Sequence, residues 1–400
     1  MDTDSRSVPD VTTGLEQLLR ESPALLDRAT FGLLMNQASV DRKLNYACDR
    51  LAERFPGQLR ALFSPQHGLW GEQQANMIET PHGRYSPLDL PVYSLYSETR
   101  RPTVEMLSGL DCVVVDLQDV GTRIYTFVWT LLEVLRSCAG AGIKVVVLDR
   151  PNPLGGVVIE GPLLEPQFQS FVGGATIPMR PGLTMAELAL LLNAELAIGC
   201  QLTVVPMIGW KRDMLFAETG LPWVAPSPNM PRLETTLVYP GQVLLEGTTL
   251  SEGRGTTLPF ELVGAPGLDP FQLCAELEQQ PHPGLQLRPV WFRPTFDKHA
   301  GQSCGGVAMQ VVDPSAIRSF RWTLALLDVV RHIAPPALNW LPPPYEYERT
   351  RPPIDILFGS DRLRWRFELP DPLSDDELQA LACIDEDAWQ KRTAQYHLYH

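Results

Sequence analysis

Apolar runs recur through the first half of the chain: FGLLMNQAS at 31–39, LRALFS at 59–64, DCVVVDLQ at 111–118, KVVVLDR at 144–150 and LTVVPM at 202–207. They are nearly continuous rather than alternating, the pattern of strands buried on both faces. Between them, at 41–55, 125–142 and 184–199, apolar residues return at three- and four-residue spacing, which predicts helices that each bury one face. Strands alternating with helices build βαβ units, so the pattern predicts an α/β fold: a parallel, Rossmann-like sheet with helices on both sides.

In such sheets polar residues gather beyond the carboxyl ends of the strands, where ligands bind. Here Asn36 and Gln37 end the first run, Gln66 and His67 follow the second, Asp116, Gln118 and Asp119 end the third, and Asp149, Arg150 and Asn152 end the fourth. Any one of these is accounted for equally well as a helix cap or turn former. Together, with carboxylates and an arginine among them, they predict a site on one rim of the sheet.

Past residue 207 the texture changes. Residues 223–241 are rich in proline and aromatic side chains and 246–267 read as loops, which places a domain boundary near 236. Residues 1–236 are then the Rossmann-like α/β domain, and 237–400 a smaller α+β domain with a strand at 306–313 and a helix around 319–333. A cleft is expected between them. The proline-rich stretch 335–353 reads as a surface connection. Two domains suit a chain of 400 residues, at roughly 100–200 residues per domain.

Composition removes several function classes. A formal charge of −14 without clustered Lys and Arg speaks against nucleic acid, whose binding needs a basic stripe. No stretch reaches the roughly 18 uninterrupted apolar residues of a membrane helix. The seven cysteines, at 48, 112, 138, 200, 274, 304 and 383, are scattered without a Cys-x-x-Cys pair, as in a reducing compartment. The N-terminal MDTDSRSVPDVTTG lacks a basic segment leading into an apolar one, so a cytoplasmic location is expected. The histidines form no cluster with ligand spacing, so neither metal nor cofactor is expected. The chain also lacks the Gly-x-Gly-x-x-Gly turn, the Walker A loop, the Gly-x-Ser-x-Gly elbow and His-Glu-x-x-His. What remains is an abundance of carboxylates, amides and arginines in glycine-rich loops. That inventory suits a carbohydrate site, where amides and carboxylates hold hydroxyls and a carboxyl group protonates the glycosidic oxygen.

Eight ordered blocks carry a family resemblance: FSPQHGLWGE (63–72), DLQDVGTRIYTF (116–127), LDRPNPLGG (148–156), EGP (160–162), PSPNMP (226–231), YPG (239–241), EGTTLSEGRGTTLPFE (246–261) and FRPTFDKHAGQSCGG (292–306). From about residue 14 to its C-terminal end the chain resembles the NamZ family of exo-β-N-acetylmuramidases. The resemblance implies a Rossmann-like domain without nucleotide, a smaller second domain, and release of N-acetylmuramic acid from non-reducing ends of peptidoglycan fragments. The implied partner is a muramic-acid-containing oligosaccharide or muropeptide. Within the blocks, Asn36 aside, lie the implied substrate-binding residues Trp70, Gln118, Arg123, Tyr125, Arg150, Asn152, Asn229, Glu246, Ser251, Glu252 and Arg254.

One position departs from the family. Relatives commonly read Pro-Glu-His-Gly where this chain has Pro65, Gln66, His67 and Gly68, and that glutamate is the usual candidate for the catalytic carboxylate. An amide has no titratable proton near neutrality, so Gln66 is neither acid nor base. Glu72, aligned where many relatives have aspartate, is the leading substitute, followed by Asp116, Asp119 and Glu252. His67 and Gln66 would bind sugar hydroxyls or position a water, and Trp70 would cover an apolar ring face. Arg254, set between two glycines, and Arg123 and Arg150 are the candidates for reading the lactyl carboxylate that distinguishes muramic acid from N-acetylglucosamine. Two other readings stay open at this point: a silent sugar-binding protein that has lost its acid, and another hydrolase or transferase on the same scaffold.

Overall fold

The structure, a computed structural model, describes residues 11–21, 23–74 and 77–400. Residues 1–10, which carry most of the reading of the N-terminus, lie outside them. The first sheet contains β1 (Phe31–Met35), β2 (Leu59–Ser64), β3 (Gly83–Tyr85), β4 (Leu90–Ser94), β5 (Cys112–Asp116), β6 (Lys144–Leu148) and β7 (Leu202–Val205). Their order is β3-β4-β2-β1-β5-β6-β7. All neighbouring pairs are parallel except the edge pair of β3 with β4. The chain winds outward from β1 in one direction and then from β5 in the other, so the crevice of a doubly wound sheet falls between these two strands.

The continuous apolar runs have the expected consequence. Val113 and Val115 of β5 belong to the hydrophobic cluster on one face, with Phe127, Leu131 and Leu135. Val114, between them in sequence, belongs to the cluster on the opposite face with Ala47, Cys48 and Leu51. Successive side chains point to opposite sides of a strand, and both sides are roofed by helices, Phe127–Ala141 on one and Ala47–Arg54 on the other. The former ends at Gly142, whose φ of 69° supplies the left-handed residue of a helix C-terminus. The predicted helix at 41–55 begins later because Asp41 Oδ1 accepts from the backbone N–H groups of Lys43 and Asn45, which makes a turn of its first residues.

The second, smaller sheet is antiparallel, β8 (Leu262–Ala265), β9 (Leu285–Phe292) and β10 (Cys304–Val311), with β10 central. Helix Ser319–Ile333 packs against helices Leu233–Gln242 and Pro270–Leu277. Residue 236 lies inside helix Leu233–Gln242 rather than in a linker, and the core runs on without a break: Val115, Leu237 and Leu326 belong to one cluster. The C-terminal residues return to the first sheet, where Trp389 Nε1 donates to Pro181 O (3.0 Å) and the Tyr399 hydroxyl to Asp149 Oδ2 (2.6 Å).

Candidate active site

Beyond β2 the chain turns on two residues with positive φ, His67 at 73° and Gly68 at 81°. That turn presents Gln66 and His67 to a small polar cavity of ≈ 30 Å³. Tyr125 and Thr126 enter it from the loop after β5, Ser227 and Asn229 from the stretch before helix Leu233–Gln242, and Tyr239, Glu246, Arg254 and Phe260 from the start of the C-terminal half. Tyr345 and Glu346 close it. A wider cavity of ≈ 350 Å³ adjoins it across Glu246, Arg254 and Tyr345 and is also lined by Glu252, Asp297 and Lys298. Its volume lies in the range of small-molecule sites, about 300–1,000 Å³.

The polar groups are held firmly. Gln66 Oε1 accepts from the Thr126 hydroxyl (2.7 Å), and its Nε2 donates to Glu346 Oε1 (3.1 Å). Tyr96 donates its hydroxyl to Glu346 Oε2 (2.8 Å). Burial raises the Glu346 carboxyl above its ordinary range, against the hydrogen bonds from Tyr96 and Gln66. His67 Nδ1 lies 2.6 Å from Gln73 O. A carbonyl only accepts, so Nδ1 carries the hydrogen and Nε2 is the ring's acceptor. Burial, helped by Arg254, brings the imidazole down to about 4, so it is neutral at physiological pH.

Arg254 sits between Gly253 (φ 80°) and Gly255 (φ 77°), and a Cβ at Gly255 would lie 2.6 Å from Phe296 O. Only glycines let this loop pass so closely. The guanidinium donates Nη2 to Glu246 Oε1 (2.6 Å) and pairs through Nε with Glu252 (3.2 Å). Glu246 Oε2 accepts from Tyr345 (2.6 Å), and Glu252 faces Lys298 Nζ at 2.6 Å. Burial works against the Arg254 charge, but Glu246 and Glu252 outweigh it and raise its pKa.

Of the residues expected at the site, Gln66, His67, Tyr125, Asn229, Glu246 and Arg254 meet in the small cavity, and Glu252 lines the wider one. Others are elsewhere. Glu72 is exposed and stands outside both cavities, because the chain turns away after Gly68 and again at Gly71 (φ 65°). Trp70, 39% exposed, packs against Tyr46 and Tyr85 instead of facing the cavity. Asp116 is gripped at both oxygens by Arg150 (2.6 and 2.7 Å), which also donates to Val40 O. A carboxylate so held is spent on an ion pair, and Arg150 lines a separate small cavity with Gln118 rather than the one beyond β2. Asn36 donates to Gln118 O, Gln118 to Asp119 O and Pro151 O, and Asn152 to Leu183 O. These amides tie together the loops beyond the carboxyl ends of the strands. Arg123 is fully buried and donates to backbone carbonyls. Ser251 Oγ accepts from Gly253 N inside the arginine loop. Asp119 lines neither cavity; its Oδ2 accepts from Gly121 N (2.7 Å), and burial pushes the carboxyl up to about 7.

The residues that sequence reasoning missed are Thr126, Tyr239, Tyr96 and above all Tyr345 and Glu346. The last two lie in the stretch expected to be a surface connection, yet they are 6% and 3% exposed. An available signal was the YEYE run at 345–348, an acidic and aromatic alternation out of place in a solvated linker.

Comparison with known proteins identifies the family. The N-terminal and C-terminal family models of the exo-beta-N-acetylmuramidase NamZ match residues 31–234 and 237–399. The chain is 44% identical over 335 residues to the peptidoglycan beta-N-acetylmuramidase NamZ of Bacillus subtilis (strain 168), covering 83% of this chain and 80% of that protein. Two crystal structures of DUF1343 family proteins from Bacteroides fragilis NCTC 9343 are similar over 98% of this chain and 99% of theirs, one with a TM-score of 0.87 at 32% identity, the other 0.75 at 27%. With both family models matched along nearly all its length, the chain belongs to the NamZ family of exo-β-N-acetylmuramidases.

Proposed function

We propose that this protein is a glycoside hydrolase that releases N-acetylmuramic acid from the non-reducing ends of peptidoglycan fragments. The observation that carries the reading is the cavity beyond β2 and β5, where a neutral imidazole, carboxylates and Arg254 face one another. The relative at 44% identity acts as a peptidoglycan beta-N-acetylmuramidase. The silent-binder alternative rested on the amide at Gln66, but a titratable carboxyl, Glu346, lies 3.1 Å from that amide. Seven free thiols, six of them buried, support placing the reaction in a reducing compartment.

The test is turnover of a chromogenic β-glycoside of N-acetylmuramic acid against its N-acetylglucosamine analogue. Of the three arginines considered, Arg254 alone lines the cavity, and a substrate lacking the lactyl carboxylate leaves it without that contact. Arg254 keeps its pairs with Glu246 and Glu252 in either case, so the analogue loses one charge-assisted hydrogen bond, about 1.5–3 kcal/mol, and a preference of roughly tenfold or more for the muramic acid glycoside is expected. Equal rates on both sugars would refute Arg254 as the reader, and binding without turnover would restore the silent-binder reading.

Glu72→Gln should keep turnover within about twofold of the parent, the usual effect of an exposed substitution. A hundredfold loss would bring Glu72 back into the mechanism.

A further inference from the structure

Gln66, which has no proton to give, hydrogen-bonds the carboxylate of a residue from the far end of the sequence. We propose that Glu346 is the proton donor to the glycosidic oxygen and that Gln66 is its positioning residue. This assignment rests on the muramidase reading.

Thr126 donates its hydroxyl to Gln66 Oε1, and the amide NH₂ faces Glu346. An amide in that place orients the carboxyl without competing for its proton. A second carboxyl at the same 3.1 Å separation would share one proton with it. Tyr96 fixes the other oxygen. A carboxylate has about four acceptor positions, and these contacts use one on each oxygen, which leaves both able to face the cavity.

The backbone supports the same conclusion. Glu346 has a φ of 43° and Tyr347 of 70°, left-handed values that non-glycine residues avoid and that concentrate at functional sites. The Glu346 N–H is spent on Met77 Sδ (3.3 Å). The strained turn buries Glu346 while leaving Tyr347 half in solvent.

The other titratable groups lining the cavity are poorly suited to the task. His67 is already neutral well below physiological pH. Glu246 is held by Arg254 and Tyr345, and the hydroxyls of Tyr125, Tyr239 and Tyr345 are pushed well above their usual range by burial. Around Glu346 itself, burial and Glu246 favour the protonated form, while Tyr96, Gln66 and Arg254 favour the charged one. Arg100 stands behind, over the rings of Tyr96 and Tyr347, and pairs with Glu79.

In the reaction the Glu346 proton passes to the glycosidic oxygen as that oxygen's bond to the anomeric carbon breaks, and the remaining glycan leaves as an alcohol. Water adds to the anomeric carbon, and the proton it loses returns to Glu346 directly or through solvent. One water is consumed and the acid is regenerated.

The deciding experiment compares two leaving groups, N-acetylglucosamine and 4-nitrophenolate, on the same muramic acid donor. Glu346→Gln should lower kcat/KM by about 10²–10⁴-fold for the disaccharide, with a far smaller loss for the nitrophenyl glycoside, which departs without protonation. The alkaline fall in the disaccharide pH profile should vanish. Tyr96→Phe, which removes a donor that favours the carboxylate, should shift that fall to higher pH, and it decides the matter if the glutamine variant does not fold. Equal losses on both leaving groups, an unmoved alkaline limb in Tyr96→Phe, or loss of that limb in Asp119→Asn instead would overturn the assignment. If the parent cleaves both substrates and Glu346→Gln does too, only Glu346 is refuted; if the parent cleaves neither, the muramidase reading falls with it.

Discussion

Arg123→Met is expected to lower the unfolding free energy by about 3–5 kcal/mol. Arg123 is completely buried, and its guanidinium donates to the carbonyls of Pro162 (2.7 Å), Ile177 (3.0 Å), Leu357 (3.1 Å) and Phe358 (2.9 Å). It thereby joins segments far apart in the sequence around a single cation. Burial alone brings its pKa down to about 9. Two effects oppose each other in the variant. Each carbonyl left without a donor costs about 1–3 kcal/mol, whereas removing a buried charge returns part of its desolvation cost. The acceptors outnumber the single charge, so loss dominates. Denaturant midpoints measure the deficit, and the preference for muramic acid in whatever folds should be that of the parent. A deficit under 1 kcal/mol, or a changed sugar preference, would contradict a purely structural role.

Arg123 also shows why the sheet was legible in the sequence and the site only in part. The strand KVVVL at 144–148 declares itself because, after the exposed Lys144, both faces are buried and every position is apolar. The rim of polar residues was legible for the same reason: polarity has to resume where a buried strand ends. Its division of labour was not. The ends of β2 and β5 feed the cavity, but those of β1, β5 and β6 are also tied together through Asp116 and Arg150, a pair 34 positions apart that no local pattern announces. The carboxyl sought near Gln66 was looked for six residues away, at Glu72. It comes instead from 280 positions downstream. Proline-rich texture misled once, making a linker of the segment that closes the cavity. The boundary near 236 falls within helix Leu233–Gln242, at the point where the two family models also divide.

Arg254→Ala should produce the other large loss, one that depends on pH. The wild-type network sets the cations Arg254 and Lys298 against the buried carboxylates of Glu246 and Glu252. Removing one partner of such a network leaves an uncompensated charge and costs about 3–5 kcal/mol at neutral pH. In the parent, burial tends to raise the Glu252 carboxyl, but Lys298 and Arg254 outweigh it and hold the pKa low. That group stabilises the fold above its unfolded pKa, and the contribution fades as pH falls through the folded value. In the variant the balance tips toward burial, and a carboxyl raised in the folded state destabilises the fold at neutral pH and ceases to do so below its unfolded pKa of about 4.3. The deficit between parent and variant should therefore shrink steadily as pH falls from 7 toward 4, while in whatever folds the preference for the lactyl-bearing sugar disappears. Urea denaturation across that range, with rates on the two glycosides at each pH, tests both halves. A deficit constant with pH would mean that Arg254 stabilises the fold by packing over Phe260, whose ring centre lies 5.1 Å away, rather than by charge, and a preference that survives would assign the recognition of the lactyl group elsewhere.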